Sequence, residues 1–313
     1  MATPPPGGAD LTTRIGSVTL PNPILTASGT AGHGAELARY VDLSSLGAVV
    51  VKSLSAESWA GNPAPRVTEV DAGMLNSVGL QNPGVEAWLA DELPALIATG
   101  ARVVASIWGF TVEAYEKAAA ALAEAPPEVV AVEVNLSCPN IESRRAMFAH
   151  SPGLTAEAVE ATAGCRRPRW AKLSPNVTDL TEIAGAALEA GAEALTLVNT
   201  VMGMVIDVET RRPRLGAGGG GLSGPAIRPV AVRAVYDVCT AFPHATVVGA
   251  GGIATGEHAV ELMLAGASAV EVGTATFADP RAPARVAAEL ERWCRRHNVA
   301  RVADLVGKAR ADT

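Results

Sequence analysis

The chain has 313 residues, 49% of them hydrophobic, and a formal net charge of −7; that is enough apolar chain for one large domain with a full core. Its Arg-Arg pairs are isolated and no basic run offers a phosphate footprint, which argues against nucleic acid as the main partner. No apolar run reaches the ~18 residues that span a bilayer, and Met1–Asp10 lacks the basic end and apolar stretch of a secretory signal, so a cytoplasmic setting is expected.

Short Val/Ala/Leu-rich runs alternate with longer Ala/Glu/Arg-rich helical patterns. In chain order, strands are expected at 23–28, 48–53, 102–107, 129–135, 169–173, 194–199, 245–250 and 269–273. Helices are expected between them at 36–46, 85–98, 111–125, 155–165, 179–190, 225–241 and 256–265, with a last one at 281–297. Thr111 is a candidate cap with Glu113 in the first turn, and Thr255 starts a helix that Gly266 ends. A strand followed by a helix, eight times over, reads as an α/β fold: an eight-stranded parallel β/α (TIM) barrel. Residues 1–12 are expected to be a flexible tail and 13–313 the single barrel domain. A doubly wound open sheet is the runner-up, but no GxGxxG follows the first strand. Long insertions at 54–84, 138–154 and 201–224 follow strands and so fall on the carboxyl face. Gly216 and Gly218–Gly221 follow a polar loop rather than a strand, and read as a flexible or close-packed loop.

Four features carry chemistry. The apolar run that starts at Val132 ends in Asn135-Leu136-Ser137-Cys138-Pro139-Asn140, a thiol bracketed by two amides at a strand end. Cys165, Cys239 and Cys294 lie in helical patterns and read as packing residues, and no cysteine pair or histidine spacing suits a metal. Two adjacent strand-to-helix turns, Gly251-Gly252 and Gly273-Thr274, offer backbone N–H groups to a phosphate, where barrels of this kind place one. Lys52 and Lys172 end strands two and five and suit a shared anionic ligand. Asn76, Asn135, Asn140 and Asn199 could fix a planar ring bearing N–H and C=O groups, if the fold brings them together.

Taken together, these residues resemble the class 1 dihydroorotate dehydrogenases. The resemblance runs from Asn22-Pro23 to about Asp279-Pro280 and rests on Ala27-Ser28-Gly29-Thr30, Gly61-Asn62-Pro63-Ala64-Pro65-Arg66, the 76–84 stretch, the Cys138 loop, Lys172-Leu173-Ser174-Pro175-Asn176 and Gly221-Leu222-Ser223-Gly224-Pro225. Gly79-Leu80-Gln81-Asn82-Pro83-Gly84 is similar to the class 1B, NAD-linked branch. The resemblance implies FMN at the carboxyl end of the barrel, meeting Ser28, Lys52, Ser53, Asn135, Lys172, Val198 and Gly224, with its phosphate on Gly251, Gly252, Gly273 and Thr274. It implies dihydroorotate against Lys52, Asn76, Ser77, Val78, Gly79, Leu80, Asn135, Asn140, Asn199 and Thr200, with Cys138 as the base. A homodimer is expected, and for the NAD-linked branch a partner subunit carrying FAD and an iron–sulfur centre, giving a heterotetramer; this chain has neither a cluster motif nor a dinucleotide fingerprint.

Two segments depart from the family pattern. Where the family usually places an asparagine against the flavin, this chain has Ser106-Ile107-Trp108. Where the loop after the cysteine is usually glycine-rich, it has Glu142-Ser143-Arg144-Arg145-Ala146-Met147-Phe148-Ala149-His150. Two other functions stay open at this level: a flavin-dependent dihydropyrimidine dehydrogenase module, and a phosphate-ligand-binding barrel without redox chemistry.

Overall fold

Eight short apolar runs form the strands, and we label them β1 (Ile24–Thr26), β2 (Val49–Val50), β3 (Val103–Ile107), β4 (Val129–Asn135), β5 (Arg169–Lys172), β6 (Ala194–Leu197), β7 (Val247–Ala250) and β8 (Ala269–Val272). The computed structural model describes residues 8–137 and 147–310. All neighbouring pairs are parallel, in the order β1-β8-β7-β6-β5-β4-β3-β2, and a parallel bridge from Leu25 to Ala48 brings β1 back to β2. The sheet therefore curls into the expected barrel, which leaves few open edges.

Alternation along each strand sends every second side chain inward. Leu25, Val50, Val104, Ala131, Trp170, Ala194, Val248 and Ala269 make one buried inner cluster, capped below by Ile15 and Leu20 of a hairpin (Thr13–Ile15 with Val18–Leu20). The outward-facing residues join the helices in a second, larger cluster that includes Val103, Val132, Leu195, Val247 and Val270. One step further toward the carboxyl end, the inward positions turn polar: Ser106, Glu133, Lys172, Thr196 and Glu271 are all buried.

The helices agree with the sequence expectation at their caps. Thr111 accepts a hydrogen bond from the Ala114 N–H to start Val112–Ala121, and Thr255 accepts one from His258 to start Gly256–Ala265, which closes at Gly266. Two expected helices differ. The 36–46 stretch breaks into 3-10 turns at Glu36–Arg39 and Leu43–Ser45, because the Asp42 side chain caps the second turn through Ser44. The 85–98 helix carries a π segment at Trp88–Glu92, just ahead of Pro94, which has no N–H to give to the preceding turn.

Residues 8–12 of the expected tail meet the rest of the chain: Asp10 N–H donates to the Ala300 carbonyl, Val302 N–H donates to the Asp10 carbonyl, and Leu11 packs against the main core. Among the described residues no helix is long and apolar enough to cross a membrane. The insertions after β2 and β6 hold a feature that the sequence pattern did not announce. They pair into a four-stranded antiparallel sheet, in the order Val201–Gly203, Gly220–Ser223, Gly73–Asn76, Val67–Val70.

Candidate active site

A cavity opens at the carboxyl end of the barrel, the face on which barrels of this kind place their ligands. One wall is made by the turns after β7 and β8, where Gly251, Gly252, Gly273 and Thr274 stand side by side because Ala250 pairs with Glu271. At Gly252 the backbone has φ +74° and a Cβ would come within 2.5 Å of Arg228 Cβ, so only bare backbone fits there. Thr274 Oγ1 donates to Ser223 Oγ at 2.8 Å and ties this wall to the insertion sheet beside Gly224.

The opposite wall carries the amides. Asn199 Nδ2 donates to Asn135 Oδ1 at 3.2 Å, and Asn135 Nδ2 donates to Ser53 Oγ at 3.1 Å. Ser53 and Ser106 hydroxyls lie 2.9 Å apart, and Ser106 Oγ donates to Glu133 Oε1 at 3.1 Å. Ser106 thus does not line the cavity; it lies fully buried beneath Ser53, anchoring the row rather than facing a ligand.

At the floor, Lys172 Nζ donates to Glu271 Oε2 at 2.7 Å, to Ser28 Oγ at 3.2 Å and to Glu133 Oε1 at 3.5 Å. Burial alone would lower the Lys172 pKa, but the two carboxylates outweigh it and hold the ammonium above its usual range. Glu271 is pushed well above the usual carboxyl range by burial and then by Glu133, against the pull of Lys172.

The structure brings most of the expected site residues to one place. Ser28, Asn76, Val78, Lys172, Val198, Asn199, Thr200, Gly224, Gly251, Gly252, Gly273 and Thr274 all line the cavity. Ser53 and Asn135 sit just behind, in the hydrogen-bonded row. Lys52 is half-buried, with its Nζ within 3.9 Å of where a Gly29 Cβ would be. Ser77, Gly79 and Leu80 continue the 76–80 stretch, with φ +72° at Gly79 and +64° at Leu80. Cys138 and Asn140 lie outside the described residues, as does the 142–146 part of the departing loop.

Sequence reasoning passed over several residues that shape the site. Glu133 and Glu271 lie inside the strands expected at 129–135 and 269–273, where a charged residue at an inward position of an apolar strand is itself a signal. Asn176 donates to the Thr200 carbonyl at 2.9 Å and accepts from the Met202 N–H, bracing the loop after β6. Trp59 Nε1 donates to the Gly79 carbonyl at 3.0 Å and Asn62 Nδ2 to Ser77 Oγ at 2.9 Å, so the 59–66 segment holds the 76–80 stretch.

This geometry joins a bare-backbone anion cradle, a buried ammonium and a row of amides in one cavity, and the match of known families agrees with it. The dihydroorotate dehydrogenase family model matches residues 10–293. The chain belongs to the dihydroorotate dehydrogenase family. It is 51% identical over 296 residues to a Desulforudis audaxviator protein named dihydroorotate dehydrogenase B (NAD(+)), catalytic subunit, covering 94% of this chain and 96% of the relative. A Geobacter sulfurreducens protein of the same name is 46% identical over 95% of this chain and 97% of its own length. A Solibacter usitatus protein provisionally named dihydroorotate dehydrogenase A (fumarate) is 50% identical over 95% of this chain and 97% of its own.

Proposed function

We propose that this chain oxidises (S)-dihydroorotate to orotate in pyrimidine (UMP) biosynthesis, with FMN held at the carboxyl end of the barrel. The observation that carries this reading is the single cavity lined by the Gly251-Gly252 and Gly273-Thr274 turns, Lys172 and the amide of Asn199. The donor set fits a phosphorylated flavin. Bare backbone suits a phosphate, while Lys172, Ser28 and the amide row suit a ring edge with alternating N–H and C=O groups. Asn76 and Val78, at the opening, suit a flat heterocycle lying over that ring, with Lys52, Asn140, Asn199 and Thr200 completing its polar contacts.

Bound flavin supplies the acceptor for the hydride that leaves C6 of the substrate. The chain supplies the rest. Cys138 takes the C5 proton, which is acidified by the neighbouring carbonyl; a free thiol with a pKa of about 8.5 is close enough to operating pH to serve as a general base. Lys172, which lines the cavity, would hold the flavin and would stabilise negative charge there. Asn199 and Asn135, fixed to each other and to Ser53, orient the substrate without having to reorganise.

Electrons then leave, in this reading, to NAD through a partner subunit carrying FAD and an iron–sulfur centre. The support is the name shared by the Desulforudis and Geobacter relatives, which is NAD-linked and calls each a catalytic subunit. The test is purification from the native cell followed by flavin and iron analysis and assay with dihydroorotate. Expected are FMN with this chain, FAD and iron with a co-purifying partner, and NAD reduction that needs the partner. Protein that stays colourless after FMN is added would overturn the flavin reading; turnover of dihydrouracil but not dihydroorotate would overturn the substrate.

A further inference from the structure

Beneath the cavity, the inward positions of β4, β5 and β8 place two carboxylates around one ammonium. Glu133 is fully buried, Glu271 is 1% exposed and Lys172 is 4% exposed. Each carboxylate has one oxygen within reach of Lys172. The other oxygen of each, Glu133 Oε2 and Glu271 Oε1, is buried and meets no donor among the described residues. Two carboxylate oxygens cannot satisfy one another, since both only accept; a proton on one of them makes it a donor. Charge gives the same count. With both acids ionised the three side chains would carry a net negative charge while almost wholly buried, which is costly, and one proton brings them to neutrality.

The hydrogen-bond row leaves Glu271 as the acid with fewer donors: Glu133 Oε1 meets both Ser106 and Lys172, Glu271 Oε2 meets Lys172 alone. Ser106 Oγ donates to Glu133 Oε1, so Ser53 must donate to Ser106, Asn135 to Ser53 and Asn199 to Asn135. Every donor in the row points down toward Glu133, which suits an ionised acceptor at its end. Glu271 has Lys172 on one oxygen only. The other groups around the cluster are neutral, the hydroxyls of Ser28 beyond β1, Ser106 on β3 and Thr196 on β6 and the ring of Trp170 below on β5, while the Lys52 ammonium lies toward Gly29. Among the described residues no metal-binding group competes for this place.

We propose that Glu133 and Glu271 share a single proton, carried on Glu271, and that this proton keeps the buried cluster neutral, so that one carboxylate charge rather than two offsets Lys172 beneath the bound ring. The inference about the ring rests on the flavin reading; the inference about the proton does not. Glu133 and Glu271 act through Lys172 and are positioning residues.

The test is a pair of measurements on wild type, Glu271→Gln, Glu133→Gln and the double variant. Infrared difference spectra of protein without added flavin, at neutral pH, read the carbonyl stretch of a protonated carboxylic acid and its shift in heavy water. Wild type is expected to show the band and each single variant to lose it, because one remaining carboxylate pairs with Lys172 and ionises. The flavin midpoint potential is expected to stay near the wild-type value in each single variant and to rise in the double variant, where the ammonium stands alone. A wild type without the band, or a band that survives in both single variants, overturns the shared proton. Potentials that rise in each single variant as much as in the double overturn the coupling to Lys172. A chain that shows the band but takes up no flavin keeps the proton and overturns the flavin reading.

Discussion

Cys138 is one thiol of four, and the other three lie within the described residues. Cys165, Cys239 and Cys294 are buried, and loss of water pushes all three thiols up, Cys239 and Cys294 to about 11. Near neutral pH these three stay protonated and shielded, so a disulfide reagent added to native protein is expected to titrate one thiol quickly. Cys138→Ser should lose that fast phase; an unchanged fast phase in the variant would assign the reactivity elsewhere. If Cys138 is the base, Cys138→Ala should still bind FMN while flavin reduction by dihydroorotate slows by about 10²–10⁴-fold. Reduction by wild type should quicken as pH rises toward the thiol pKa of about 8.5, and a rate in the variant equal to wild type would end the assignment. At this scale the sequence was informative where type and place agree: the glycines after β7 and β8, Lys172 and Asn199 all reach the cavity. Glu133 and Glu271 were harder to see because their partner, Lys172, is distant in the chain, 39 residues from Glu133 and 99 from Glu271.

The barrel strands and most helices were legible because each carries its own periodicity and caps, as Thr111 and Thr255 illustrate. The insertion sheet was not, for a physical reason. Its strands have three or four residues, two of them rich in glycine, and Asn76 pairs with Gly221 across most of the barrel sequence. No local pattern encodes such a pairing; it forms because the barrel holds the two insertions side by side. The close packing shows at Gly221, where a Cβ would fall 2.0 Å from Thr200 Oγ1. The sheet and the 59–66 segment together fix the 76–80 stretch, through Asn62 onto Ser77 and Trp59 onto Gly79. Asn62→Ala removes two side-chain hydrogen bonds, worth about 1 kcal/mol each. The expected result in steady-state assays is a KM for dihydroorotate raised roughly 5–30-fold on that scale, with FMN retained and kcat changed less. A KM equal to wild type would mean that this segment does not hold the substrate stretch.

At the scale of the whole molecule, the buried cluster links the site to the stability of the barrel. Glu271 holds its proton more tightly in the folded chain than in the unfolded one, because burial and Glu133 disfavour its charge. Its contribution is therefore fully present below the ordinary glutamate pKa of ~4.3 and is lost as pH rises through the raised folded value. Lys172 is also raised, so its contribution stays constant up to the ordinary lysine pKa of ~10.4 and declines only above it. Between about pH 5 and 8 the slope specific to this cluster is thus that of Glu271, at most ~1.4 kcal/mol per pH unit. Glu271→Gln keeps the shape of the protonated acid and cannot ionise. The exposed carboxyls at Asp10, Asp179 and Asp279 titrate alike in both proteins, being far outside the barrel interior. Thermal unfolding of the two proteins, each without added flavin so that ligand binding does not contribute, should show wild type losing ground to the variant as pH rises above about 5 toward the raised Glu271 value. A gap between their Tm values that stays flat over that range would mean that Glu271 ionises in the fold as it does in water, and that the neutral cluster does not exist.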